Sequence, residues 1–141
     1  MKKVLFIILL VLIVLPLNAQ SILGQWKTID DETGEAKSIV EIFEKEGKVY
    51  GKIIKVLNTK IKNPVCSKCK GENKNKSIIN LQIIADLSKN GDVYEDGTIL
   101  NPSNGKIYKC RIKLEDNPDR LQVRGYIAFF YKTQYWHRVK K

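Results

Sequence analysis

Three cysteines, one histidine and a few adjacent carboxylates are the residues of this chain with a capacity for unusual chemistry. Cys66 and Cys69 form a Cys-x-x-Cys pair inside a polar stretch, residues 58–76, rich in lysine and asparagine. A thioredoxin-type redox site needs its first cysteine at a helix N-terminus, which lowers the thiol pKa. Nothing from Ser67 to Asn73 has the apolar period of such a helix, so redox catalysis is not expected. A structural zinc site needs four ligands, and beyond the pair only Cys110 and His137 are candidates to supply them. His137 has the opposite parity to Trp136 and Arg138, which makes it an ordinary half-exposed strand residue, and no metal or other cofactor is expected. The carboxylate pairs Asp30-Asp31, Glu95-Asp96 and Glu115-Asp116 each lie in or beside a turn, where solvated turn chemistry explains them better than acid and base roles. With no Gly-x-Ser-x-Gly elbow and no phosphate loop, the chain reads as a non-enzyme.

The compartment decides what the cysteines do. Lys2 and Lys3 precede twelve unbroken apolar residues, Val4 to Leu15, and Pro16-Leu17-Asn18-Ala19 ends on a small residue. This is the pattern of a secretory signal over residues 1–19, cleaved after Ala19 or Gln20. The apolar run is short of the about 20 residues that span a bilayer. Residues 20–141 are then one exported domain, periplasmic or extracellular. Export favours oxidation, and a local disulfide between Cys66 and Cys69 is expected, with Cys110 left as a free thiol. A bridge from Cys110 to either loop cysteine is the alternative, and would tie the loop to the barrel wall.

The formal charge is +10, and the chain stays basic after Lys2 and Lys3 are lost. Its arginines are only four (Arg111, Arg120, Arg124, Arg138), whereas phosphate and base recognition favours arginine. The lysines are scattered over turns and outward strand positions, without a stripe, which argues against a nucleic-acid partner. They form a solvated surface, open to peripheral contact with anionic envelope components.

The elements that must position these residues are strands. Apolar-rich runs alternate with turn clusters about every ten residues, the sign of an all-β sandwich or barrel. Strands are predicted over 24–29, 37–45, 48–57, 92–100, 105–114, 120–127 and 129–139. Residues 77–87 fit a strand or a short helix, and a strand there brings the total to eight. In 105–114, Tyr108, Cys110, Ile112 and Leu114 share one face, and Lys109, Arg111 and Lys113 the other. Eight antiparallel strands can close a barrel that is filled by side chains or holds one small ligand.

Gly24-x-Trp26 on the first strand and Arg138 on the last resemble the signature of the lipocalin and calycin barrels. In those folds the tryptophan packs at the closed end beneath the arginine, so Gly24, Trp26, Trp136 and Arg138 are assigned structural roles by this resemblance. A more specific similarity covers the whole mature chain. The succession Gly24-x-Trp26, Val49-Tyr50-Gly51-Lys52-Ile53, Cys66-x-x-Cys69-Lys70-Gly71, Gly97-Thr98-Ile99-Leu100-Asn101-Pro102-x-Asn104-Gly105-Lys106-x-Tyr108, Leu121-x-Val123-Arg124-Gly125-Tyr126 and Trp136-x-Arg138 is similar to a family of exported bacterial proteins catalogued as a domain of unknown function and thought to be lipocalin-like. Asn101 stands where that family usually has aspartate, and Phe129-Phe130-Tyr131 where its turn is richer in glycine and leucine.

Arg124-Gly125-Tyr126 also resembles the Arg-x-Tyr pair with which intracellular fatty-acid-binding barrels hold a carboxylate. Arg124, Tyr126 and the inward Tyr108 are therefore the candidate ligand contacts. Parity sets a condition, since Leu121 and Val123 claim the interior on the opposite register. Only a bulge near Gly125 satisfies both; otherwise Arg124 lies on the outer wall or caps the barrel end. The expectation is an eight-stranded, monomeric, lipocalin-like barrel that binds a small apolar or amphiphilic molecule such as a fatty acid. The competing reading is a filled barrel that works through its lysine-rich exterior.

Overall fold

The computed structural model describes residues 21–140. The expected signal at 1–19, and Gln20 and Lys141 of the expected domain, lie outside the described residues. Eight antiparallel strands form a closed barrel in which each strand pairs with its chain neighbours and the last returns to the first. They are β1 (Gly24–Ile29), β2 (Ala36–Lys45), β3 (Lys48–Val56), β4 (Gln82–Asn90), β5 (Val93–Asn101), β6 (Lys106–Leu114), β7 (Arg120–Ile127) and β8 (Phe130–Arg138). Closure is made by Trp26 opposite Arg138 and Lys27 opposite His137. Seven strands fall where the sequence places them, within a residue or so at each end.

The fourth strand is displaced from its expected range of 77–87. Residues 78–81 turn instead: Leu81 N–H donates to Ile78 C=O at 3.1 Å, and Asn80 adopts a positive φ of 69°. Two apolar residues of this turn face inward, Leu81 into the core and Ile78 against it. That inward packing explains why the run suited both a helix and a strand on hydrophobicity alone.

Because successive strands reverse direction, connectors 30–35, 57–81, 102–105 and 128–129 meet at one end of the barrel. Connectors 46–47, 91–92 and 115–119 meet at the other, together with the segment that leads into β1. The second end is packed shut. Trp26, Val40, Ile42, Ile84, Leu87, Ile112 and Leu121 are almost wholly buried, and each such side chain contributes about 1.5 to 3 kcal/mol relative to exposure. Period-two alternation supplies them: on β6, Cys110 and Ile112 are buried while Lys109 and Lys113 are exposed.

The long connector 57–81 folds as a flap on the first end. Val65 bridges Ser77, Cys66 N–H donates to Lys76 C=O at 2.7 Å, and Ile78 N–H donates to Pro64 C=O at 2.8 Å. Cys66 and Cys69 are joined in a disulfide and are both buried. The flap rests on the β5–β6 turn, where Gly105 has a φ of 72° and lies so close to Lys68 C=O that a Cβ would overlap it. Only glycine meets both demands at that position.

Candidate functional site

At the closed end Trp26 has no exposed surface, and its indole N–H donates to Ile22 C=O at 2.8 Å. The Arg138 guanidinium lies 4.3 Å from the Trp26 ring centre, a cation–π contact. The same group donates to Ser21 C=O at 2.7 Å, Leu23 C=O at 3.3 Å and Pro118 C=O at 3.1 Å, and faces Asp119 at 3.5 Å. One side chain thus ties the entering segment, the β6–β7 turn and the first tryptophan together. Gly24 packs against it, with φ at 123°.

The opposite half of the barrel is hollow. A cavity of about 800 Å³ opens between the first-end connectors, within the range of about 300 to 1,000 Å³ usual for small-molecule sites. Its walls are apolar: Ile53, Ile83, Ile99, Leu100 and Val123 line them, with Trp136 as the deepest residue of β8. From the flap, Pro64 and Ile78 contribute. A buried polar pair in the walls satisfies itself, the Thr28 and Ser38 hydroxyls lying 2.7 Å apart.

Polar groups climb the inner face of β8 toward the mouth. Trp136 indole N–H donates to Gln134 Oε1 at 3.2 Å, and Gln134 Nε2 donates to Asp31 Oδ2 at 2.9 Å. Lys132 Nζ sits 2.8 Å from the same carboxylate oxygen. The hydrogen bond and charge of Asp31 raise the Lys132 pKa, so its ammonium form is held at any physiological pH. On the other side of the mouth Lys37 Nζ donates to Ser103 Oγ at 3.0 Å. Asp30 closes the β1–β2 turn by accepting from Glu32 and Thr33 N–H, and these bonds lower its pKa. Two ammonium groups (Lys37, Lys132), three carboxylates (Asp30, Asp31, Glu32) and side-chain amides therefore ring an apolar well.

The expected ligand contacts divide. Tyr108 lines the cavity, and its hydroxyl accepts from Asn104 Nδ2 at 2.9 Å near the mouth. Arg124 and Tyr126 do not line it. The ladder of β7 runs without a register shift from Arg120 to Ile127 against β8 and from Leu121 to Tyr126 against β6. With no bulge at Gly125, Val123, Gly125 and Ile127 take the cavity side, and Arg124 and Tyr126 take the outer wall. There Arg124 Nε donates to Thr133 Oγ1 at 2.9 Å and the guanidinium stacks 4.6 Å from the Tyr131 ring centre. The fatty-acid-type Arg-x-Tyr arrangement is thus corrected by unbroken register.

The cysteines sort as expected for a local bridge, and Cys110 is the free one. Burial pushes its thiol pKa up to about 12, which leaves it a small apolar wall residue. His137 is exposed at the closed end, paired across β8 with Lys27 and Arg120, a barrel's length from the flap cysteines. Among the described residues no three His, Cys, Asp or Glu side chains gather as a metal site.

Sequence reasoning missed Asp31, Lys132 and Gln134. Asp31 looked like a solvated turn residue, and its partners lie about a hundred positions along the chain. The signal was the alternation Lys132-x-Gln134-x-Trp136 at the start of a strand otherwise read for its closing arginine.

A solved structure described as "Protein HP1028 from the human pathogen Helicobacter pylori belongs to the lipocalin family" is similar to this chain, with a TM-score of 0.74 and 24% identity over 85% of this chain and 84% of that one. At that identity the likeness shows a shared lipocalin fold. No curated protein matches the chain. The unbroken eight-strand barrel, its Gly24-x-Trp26 opening and its Trp136-x-Arg138 close span the segment recognised by a family pattern over residues 24–138, and the chain belongs to that family, described as uncharacterized proteins conserved in bacteria (DUF2147).

Proposed function

We propose that this protein is an exported, non-catalytic carrier of a small amphiphile. The observation that carries the reading is the well of about 800 Å³, apolar in depth and ringed by charge at its mouth. A tail would lie among Ile53, Ile83, Ile99 and Val123, above Trp136. A polar head would meet Lys37, Lys132, Gln134 and the Tyr108 hydroxyl. Lys37 and Lys132 offer an anionic head such as a carboxylate its partners, in competition with Asp31 for Lys132, while Asp30 and Glu32 on the same rim equally suit a head that carries both signs of charge. The hollow interior weighs against a filled barrel working only through its surface. The basic and apolar leader supports export, and a closed barrel without free strand edges supports a monomer.

Native mass spectrometry of the protein recovered from its own host tests this. The expected result is a reproducible extra mass that organic solvent releases, on a polypeptide starting at Gln20 or Ser21. Preparations that repeatedly carry no extra mass, with the cavity unchanged in solution, refute the carrier reading. A chain retaining residue 1 refutes the export reading.

A further inference from the structure

The open end carries the most exposed apolar side chains of the described chain, and they are not scattered. Phe129 is 99% exposed and Phe130 is 76% exposed at the tip of the β7–β8 hairpin. Ile127 at the foot of that hairpin and Ile107 at the start of β6 are more than half exposed. The hairpin holds Phe129 outward from an unusual turn, because Ala128 has a φ of 50°, a region that favours glycine. Solvent exposure of two adjacent phenylalanines on a strained turn has no role in packing this barrel.

Cationic charge surrounds this apolar tip. Lys70 and Lys106 line a small groove between the flap and the rim of the barrel, together with Ile107 and Ile127. The flap to which Lys70 belongs, residues 57–81, holds six lysines against one glutamate. The β1–β2 turn at the same end carries four carboxylates, of which Asp31 is paired with Lys132 and Asp30 lies near Lys37. Phe130, besides being exposed, lines the mouth of the cavity. The apolar tip, the basic groove and the entrance to the well are therefore parts of one surface.

We infer that the open end docks on an anionic membrane surface, with Phe129 and Phe130 entering the interfacial region and the flap lysines facing the lipid head groups. Aromatic side chains favour that interface, and clustered lysines next to it are drawn to anionic lipid. A soluble protein partner would need a broader apolar patch than a two-residue tip, whereas a bilayer accepts a wedge and reads only charge and depth. Docking in this pose sets the mouth of the well against the membrane, so the cargo passes between bilayer and cavity without crossing water. The cargo step rests on the carrier reading; the docking does not.

The test is co-sedimentation of the full chain, expressed and purified alike for all variants, with vesicles of phosphatidylcholine alone or mixed with phosphatidylglycerol. Binding is expected only to the mixed vesicles and to weaken as salt rises. Phe129→Ser, a change at a side chain that touches nothing, is expected to weaken it about tenfold, and Lys70→Gln and Lys106→Gln about fivefold each. Titration of an amphiphilic fluorescent dye without vesicles reads the well separately, and Phe129→Ser should leave it unchanged. Equal binding to both vesicle types, or binding indifferent to Phe129, overturns the docking surface. So does self-association through the hairpin that Phe129→Ser abolishes while vesicle binding stays absent. Loss of dye binding with vesicle binding intact overturns the carrier reading alone.

Discussion

Gly125 offers a direct way to fill the well. Its backbone is unstrained, and a Cβ placed there would meet Tyr108 Cβ at 3.5 Å, Ile99 Cγ2 at 3.7 Å and Tyr108 Cγ at 3.8 Å, all ordinary contacts. Gly125→Ala should therefore be accepted and should stabilise the barrel by about 0.5 to 1 kcal/mol, the usual penalty for glycine inside a strand. Gly125→Leu sends three further carbons into the cavity toward Ile99 and Val123. Their burial, at about 0.8 kcal/mol per methylene, offsets the roughly 0.5 to 1 kcal/mol of lost rotamer freedom. Three carbons contribute about 2.4 kcal/mol at full burial, so the net effect should be stabilising, by up to about 2 kcal/mol. A ligand tail, however, loses the space of two or three methylenes, about 1.5 to 2.5 kcal/mol, and its affinity should fall roughly ten- to seventyfold. Urea denaturation gives the first quantity and titration with a long-chain fatty acid or an amphiphilic dye the second. A Gly125→Leu protein of undiminished stability and undiminished affinity would refute the placement of ligand in the well.

The remaining predictions concern the frame around it. Arg138→Met keeps the bulk over Trp26 but loses the cation–π contact and leaves three backbone carbonyls without their donor, so it should cost about 2 to 4 kcal/mol in urea denaturation. Replacing Cys66 and Cys69 by serine opens a loop of only three residues' separation, for which chain entropy gives about 2 kcal/mol. The loss should appear as faster proteolysis within residues 57–81 rather than as collapse of the barrel. Cys110 predicts an alkaline limit. Its thiol titrates near 12 when folded and near 8.5 when unfolded, so between those values the native state binds more protons and stability falls as pH rises. The thiol's share of the slope should approach about 1.4 kcal/mol per pH unit above pH 9, and Cys110→Ala should flatten the profile by that share when urea midpoints are compared across pH.

The closed end was legible in the sequence because its determinants are local and periodic. Gly24-x-Trp26 and Trp136-x-Arg138 sit on strands whose alternation fixes which side chains face inward, and hairpins such as Glu46-Gly47 fix which strands pair. The fourth strand was misplaced because an apolar turn packed against a core has the same hydrophobicity as a strand, and Asn80 at positive φ breaks the ladder without a glycine or proline to announce it. At the open end, the Arg124-x-Tyr126 resemblance pointed to the wrong wall while the parity of Leu121 and Val123 pointed to the right one. A period of two is enforced by every hydrogen bond of a regular ladder, whereas a two-residue motif is enforced by nothing. The ring of Asp31, Lys132, Gln134 and Lys37 was invisible for a different reason: barrel closure, not chain proximity, brings β8 beside the β1–β2 turn. A closed barrel therefore writes its structural plug into nearby residues of its terminal strands and builds its mouth from loops that meet only once it has closed, which is why the fold could be read along the chain and the well only around it.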